Sequence, residues 1–350
     1  MPALRHDFRR VNSRRRRRMA ANRTVVLSFL ALFAGAQAVL AGFLEFGPVG
    51  LRDPEFAVRA ERLRSVRDRE RDRRLLVAFG SSRMAEGLRP AALPNGDDIS
   101  LFNFGLIGAA PVTQRLALER LLNAGIRPDA VILEYWPPYL LESCGEREED
   151  RLDPNRLAQS DWPIVGTYLR DSETAERRLL VSRLIAVWAH RFVLLNIVAH
   201  PWLPFERRQD FRWRPVDDRG WLPGKAADAR NRDAHLAMSR RYYSRFLASD
   251  RFDPVGERAF RDLIAFCRDR SIAVILIWMP ESSEFRSWYS PAAEQLAQSR
   301  FSEWGDRPGV QAIDARSWID DARIGDGFHL DPAGADHFTR KLADFLRNQP

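Results

Sequence analysis

Residues Thr24 to Phe46, TVVLSFLALFAGAQAVLAGFLEF, form an apolar run in which Ser28 and Gln37 are the main polar interruptions before Glu45. About 20 such residues suffice to cross a bilayer as a helix. Ahead of the run, residues 1–23 hold nine arginines and one aspartate. An arginine-rich flank is retained on the cytoplasmic side and sends the C-terminal side outward. The expectation is a basic cytoplasmic tail (1–23) and a transmembrane anchor (24–46) in a cytoplasmic or inner membrane. The chain would then be single-pass, with its N-terminus in and its C-terminal domain periplasmic or extracellular. A cleaved signal peptide is the competing reading, because Ala36-Gln37-Ala38 has the small-residue pattern of a cleavage site. Against it, the apolar run continues to Leu44 and the preceding basic region is long.

The net charge of +8 belongs to that tail. Setting aside its nine of 55 basic residues and its one of 47 acidic residues leaves 46 of each, so the rest of the chain is formally neutral. A nucleic-acid footprint on the folded part is therefore not expected. With 45% hydrophobic and 29% charged residues the chain is globular. Cys144 and Cys267 could pair in an oxidising compartment or stay as two buried thiols. No Cys/His cluster has zinc spacing, and neither a metal nor a cofactor is expected.

Residues 47–74 are dense in mixed charge, with few apolar positions, and read as a solvated helical stalk. From Leu75 short apolar runs alternate with amphipathic ones. LLVAF (75–79), ISLFNF (99–104), AVILEY (130–135), IAVILIWM (272–279) and GVQAID (309–314) are strand candidates. VTQRLALERLLNAG, RAFRDLIAFCRDRS (258–271) and a segment from about Pro332 to Leu346 are helix candidates. This alternation predicts an α/β domain over 75–350, a three-layer α/β/α sandwich on a mostly parallel five-stranded sheet. A helical insertion at about 140–253 breaks the rhythm. It includes the apolar stretch 179–200, interrupted by Arg183, His190, Arg191 and Asn196, and a loop with Trp202, Trp213 and Trp221.

Binding sites in open parallel sheets gather at the C-terminal ends of the strands. The first strand delivers Gly80-Ser81-Ser82, where a serine either caps the next helix or presents a hydroxyl for chemistry. The second delivers Gly105 and Gly108, either turn residues or exposed N–H donors. Near the C-terminus, DGFHLDPAGADHF places Asp326 three residues before His329. In such a pair a carboxylate holds one ring nitrogen and leaves the other for a nucleophile. Asp331 and Pro332 suit the start of the last helix. His337, inside that helix, reads as a partly buried structural residue.

In this order the pieces resemble the SGNH (GDSL-type) hydrolase superfamily, over roughly Leu75–Leu140 and Ala259–Leu346. That resemblance implies a flavodoxin-like fold, Ser82 as nucleophile in a GSSR variant of the G-D-S block, and Asp326 and His329 as its partners. It also implies Gly108, at the end of the N-x-x-x-x-G turn from Asn103, as an oxyanion donor. The variant is similar to membrane-associated members that act on envelope glycans. One block departs: Pro138 stands where the family carries an oxyanion-donating Asn, and proline offers no donor. Arg83 and Asn103 are the candidates to replace it. The implied activity is a serine esterase or O-acyltransferase acting on acyl, above all acetyl, esters of envelope polysaccharide or lipid. The alternative is a catalytically degenerate domain that binds glycan or scaffolds an envelope assembly. A metal-dependent hydrolase built on Asp326 and His329 lacks further ligands. No protein partner is legible.

Overall fold

The apolar runs from Leu75 onward are short and bounded by turns, and in the computed structural model of the chain they pair as strands. The structure describes residues 3–93, 98–142, 148, 152–224 and 230–347. Strands β1 (Arg74–Phe79), β2 (Ile99–Asn103), β3 (Ala130–Tyr135), β4 (Ala273–Trp278) and β5 (Val310–Asp314) form one five-stranded sheet. Its order is β2-β1-β3-β4-β5, and every neighbouring pair is parallel. The order reverses at β1, so the crevice outside the C-terminal ends of β1 and β3 is where this topology places a binding site.

Alternate side chains of a strand point to opposite faces, and both faces here are apolar. Leu75, Val77, Phe79, Val131, Leu133, Val274 and Leu276 enter one core cluster. There they meet α2 (Pro54–Arg69), α4 (Pro111–Asn123), α8 (Pro254–Arg268) and α9 (Pro291–Gly305). Leu76, Ala78, Ile132, Ile275 and Ile277 enter the other cluster, against α3 (Ser82–Gly87) and α10 (Pro332–Arg347). The result is the three-layer α/β/α sandwich expected, with an entirely parallel sheet. Asp331 caps α10, accepting the Gly334 N–H at 2.7 Å. His337 lies on that helix's exposed side rather than partly buried.

The segment between β3 and β4 leaves and returns at one neck, where Leu141 and Phe252 form an antiparallel bridge and Asp253 N–H donates to Leu140 C=O at 2.7 Å. Within it lie α5 (Ser172–Leu184), α6 (Ala186–Val198) and α7 (Arg232–Tyr243); α5 and α6 meet at Ile185, and short 3-10 turns follow α6. Trp213 and Trp221 are buried by packing, and Trp202 is exposed. Cys267 is buried and unpaired among the described residues, and burial pushes its thiol pKa up to about 12. Cys144 lies outside the described residues, and with it the pairing.

Helix α1 (Ala3–Phe46) contains a stretch, Asn22–Phe46, long and apolar enough to cross a membrane. By length and composition it is a membrane span or a signal sequence.

The stalk expected over 47–74 is corrected by α2. Asp53 caps this helix by accepting the Phe56 N–H at 3.2 Å, and Pro54 fills its first turn. Phe56, Leu63 and Val66 are buried against the sheet layer, and so are Glu55 and Arg59. Three apolar side chains are too few to mark an amphipathic helix by periodicity; ion pairs complete the docking. Asp53 meets Arg120 at 2.9 Å and Arg156 at 3.1 Å, and Glu55 meets Arg156 at 2.7 Å. Leu63 is fully buried, so Leu63→Ala is expected to lower stability by about 2–5 kcal/mol in chemical denaturation. On a solvated stalk the change would stay within about 0.5 kcal/mol.

Candidate active site

Three turns converge at the C-terminal edge of the sheet. After β1, Gly80 and Ser81 lead into α3, and Ser81 is the capping serine: its hydroxyl accepts the Arg83 N–H at 3.2 Å. Capping by Ser81 leaves Ser82 free for another partner. Ser82 Oγ lies 2.8 Å from His329 Nε2, although 247 residues separate them. His329 Nδ1 in turn lies 2.7 Å from Asp326 Oδ2.

The carboxylate of Asp326 is held from its other side. Its Oδ1 accepts the backbone N–H groups of His329 at 2.9 Å and Phe328 at 3.2 Å, which leaves Oδ2 for the ring. Burial opposes ionisation of this carboxyl, but the His329 charge and these hydrogen bonds outweigh it and hold the pKa down to about 2. Burial likewise disfavours a charged His329, yet the Asp326 carboxylate and its hydrogen bond prevail and raise the imidazole above its ordinary value. Serine, imidazole and carboxylate thus form a continuous hydrogen-bonded chain, the arrangement that moves a proton off a hydroxyl as it attacks a carbonyl.

Gly108 lies beside Ser82 on the wall of a cleft of about 330 Å³. Its φ of 77° is in the left-handed region, where glycine carries no steric cost. The preceding Ile107 N–H donates to Glu55 Oε1 at 2.9 Å, so α2 pins this turn. Leu106, Leu116 and Leu157 line the apolar side of the cleft, while Asp53, Arg120, Arg156 and Arg212 supply the polar side.

Arg83 and Asn103 do not serve the cleft. Asn103 is fully buried; its side-chain N–H groups donate to the carbonyls of Met84, Ala85 and Leu88, and its oxygen accepts the Gly105 N–H. It thereby ties α3 to β2. The backbone of Asn103 is approached by Gly220, at φ 87°, so closely that a Cβ there would stand 1.9 Å from the Asn103 carbonyl oxygen. The neighbouring Arg219 carbonyl accepts the Asn103 N–H, and Leu222 N–H and the Trp221 indole donate to Ala85 and Glu86 carbonyls. The insertion therefore grips the short helix that carries Ser82.

Arg83 points inward, its side chain 1% exposed between Glu134 at 3.5 Å and Glu281 at 3.7 Å. Its guanidinium donates to the carbonyls of Met279, Pro280 and Phe328, and lies 3.7 Å from the centre of the Trp136 ring. Glu134 also accepts the Ser81 N–H. Burial raises the pKa of Glu281, against the opposing charge of Arg83. One side chain thus joins the ends of β1, β3 and β4 to the peptide preceding His329. Glu134, Glu281 and Trp136 escape a reading by motif, though a glutamate closing the apolar run AVILEY signals a buried charge that requires a partner. Pro138 is buried in a 3-10 turn, Pro137–Tyr139, and Tyr139 from that turn lines the cleft.

Removing one partner of a buried ion pair leaves an uncompensated charge, at about 3–5 kcal/mol. Arg83→Leu is therefore expected to lose about that much stability in urea denaturation. Arg83→Lys is expected to restore little, because an ammonium cannot reproduce the planar set of donors.

Comparison with curated proteins finds no match. Residues 58–199, which span Ser82, Gly108 and the first part of the insertion but end before Asp326 and His329, match the family described as "Protein of unknown function (DUF1574)".

Proposed function

We propose that the chain is a membrane-anchored, outward-facing serine esterase or O-acyltransferase of the SGNH type, acting on acyl, above all acetyl, esters of envelope polysaccharide or lipid. The observation that carries this reading is the chain of contacts from Ser82 to His329 to Asp326, at 2.8 and 2.7 Å, opening on a cleft at the switch point of the sheet. In this reading Ser82 Oγ attacks the acyl carbonyl while His329 Nε2 takes its proton and Asp326 holds the Nδ1–H. The Ser82 and Gly108 N–H groups stabilise the tetrahedral oxyanion. His329 then returns the proton to the leaving alcohol, and water or a sugar hydroxyl resolves the acyl-enzyme by the same route.

The retained anchor is supported by a contact that cleavage after Ala38 would remove. Gln37 Oε1 accepts the Val187 N–H at 3.0 Å. With the arginine-rich tail on the cytoplasmic side, the domain faces outward. A binding or scaffolding domain is the second reading, favoured by one observation: Pro138 supplies no oxyanion donor, and both Arg83 and Asn103 are engaged elsewhere.

Labelling with a fluorophosphonate probe separates the two. The full chain in detergent is expected to label, and Ser82→Ala to abolish labelling together with acetyl-ester hydrolysis. Absence of Ser82-dependent labelling and of hydrolysis would favour the binding domain.

His329 must be neutral to act as a base, so activity falls as pH drops through its raised pKa. The acid limb of kcat/KM is expected above the ordinary imidazole value of about 6.5. Asp326→Asn removes the charge that raises it and is expected to move that limb to lower pH, with a large fall in rate.

A further inference from the structure

Helices α5 and α6 together are long and apolar enough for a membrane segment but are bent by 81° at Ile185. Residues exposed to the surroundings include Leu180, Leu184, Ile185, Val187, Trp188 and Val198, with Leu184 74% and Trp188 64% exposed. A surface helix divides its polar and apolar residues around its axis. In α5 the division runs along the axis: Glu173, Glu176, Arg177 and Arg178 occupy the first turns, and Leu179, Leu180, Val181 and Leu184 the last, where Ser182 and Arg183 are the polar exceptions and Arg183 is paired. Such a helix enters an apolar phase end-on.

The pair packs against α1, and the contacts fix its depth. Arg183 pairs with Glu45 at 2.8 Å, at the end of the apolar run. Beyond the bend, Val187 N–H donates to Gln37, which lies eight residues, or about 12 Å, further along α1. Half of a hydrocarbon core is about 15 Å. Val187 N–H belongs to the first turn of α6, whose N–H groups have no partner within the helix. In lipid an unpaired N–H has no alternative partner, whereas in water it is solvated. Gln37 is the single polar side chain between Ser28 and Glu45, is buried, and meets that N–H at the break. The other cation of the bend, Arg191, lies over the rings of Trp188 and Phe192 at 3.7 and 4.3 Å.

We infer that α5 and α6 form a re-entrant segment sunk in lipid beside the C-terminal half of α1. The inference rests on α1 spanning the membrane and is independent of any catalytic role. The α1 helix that the pair packs against also exposes apolar side chains in this half, Val39 and Phe43. Exposed Trp202 and Phe205 follow α6 in the chain, as interfacial aromatics do.

The test uses the full chain with Cys144→Ser and Cys267→Ala, reconstituted in phosphatidylcholine/phosphatidylglycerol vesicles. An environment-sensitive fluorophore is attached in turn at Val39→Cys, Leu184→Cys, Trp188→Cys and Glu176→Cys. Lipids with nitroxides on the acyl chain are expected to quench the labels at 184 and 188 as strongly as the label at 39. Aqueous iodide is expected to quench only the label at 176. Iodide quenching at 184 and 188, with 39 still quenched by lipid, would overturn the inference and leave the anchor intact. Protection of 184 and 188 from both quenchers would overturn it in favour of a protein partner or a second copy. Loss of lipid quenching at 39 would remove the anchor itself.

Discussion

A guanidinium held between two carboxylates, out of contact with water, organises the C-terminal edge of this sheet. The carbonyls where parallel strands end have no further strand to pair with, and Arg83 satisfies those of Met279 and Pro280 while reaching that of Phe328. Glu134 and Glu281 offset its charge, and the ring of Trp136 covers it. Because Arg83 adjoins Ser82 in the chain and Phe328 adjoins His329, the same side chain sets the distance between hydroxyl and imidazole. Burying three charges is tolerable only where each is paired.

A second set of ion pairs carries that arrangement toward α1. Asp53 and Glu55, a few residues beyond the apolar run, meet Arg120 and Arg156, and Glu55 also holds the turn that contains Gly108. Glu45 meets Arg183 in the insertion. The domain is consequently fastened to the C-terminal end of α1 rather than tethered at a distance, and one wall of the cleft is made from α2 itself. The insertion works from the other side, with Gly220 seated on the end of β2 and Trp221 on α3.

Most of the layered architecture is legible in the chain because the signal is local. Strands buried on both faces read as apolar runs, and all five strands, the half-buried edge strand β5 included, begin and end within a residue of the segments expected. Helix α10 announces itself through Asp331 and Pro332. The region of α2 reads differently, because its apolar residues are sparse and its docking relies on arginines 67 and 101 positions away. Arg83 is misread for a related reason. Next to a serine in a strand-to-helix turn, a cation looks available to a ligand, and nothing local reveals that Glu134 and Glu281 enclose it.

By itself, the sequence determined an apolar helix near the N-terminus, a parallel α/β sandwich, and three turns bearing Ser82, Gly108 and the Asp326–His329 pair. Those features follow from periodicity and from neighbours within a few residues. Only the tertiary structure decided which serine caps and which meets the histidine, that Arg83 and Asn103 brace the site instead of lining it, and that the charged segment after the apolar run is part of the domain. The cap by Ser81 is local, but the other outcomes depend on charges and hydrogen bonds between distant positions, and such interactions gain their strength as folding removes the water around them.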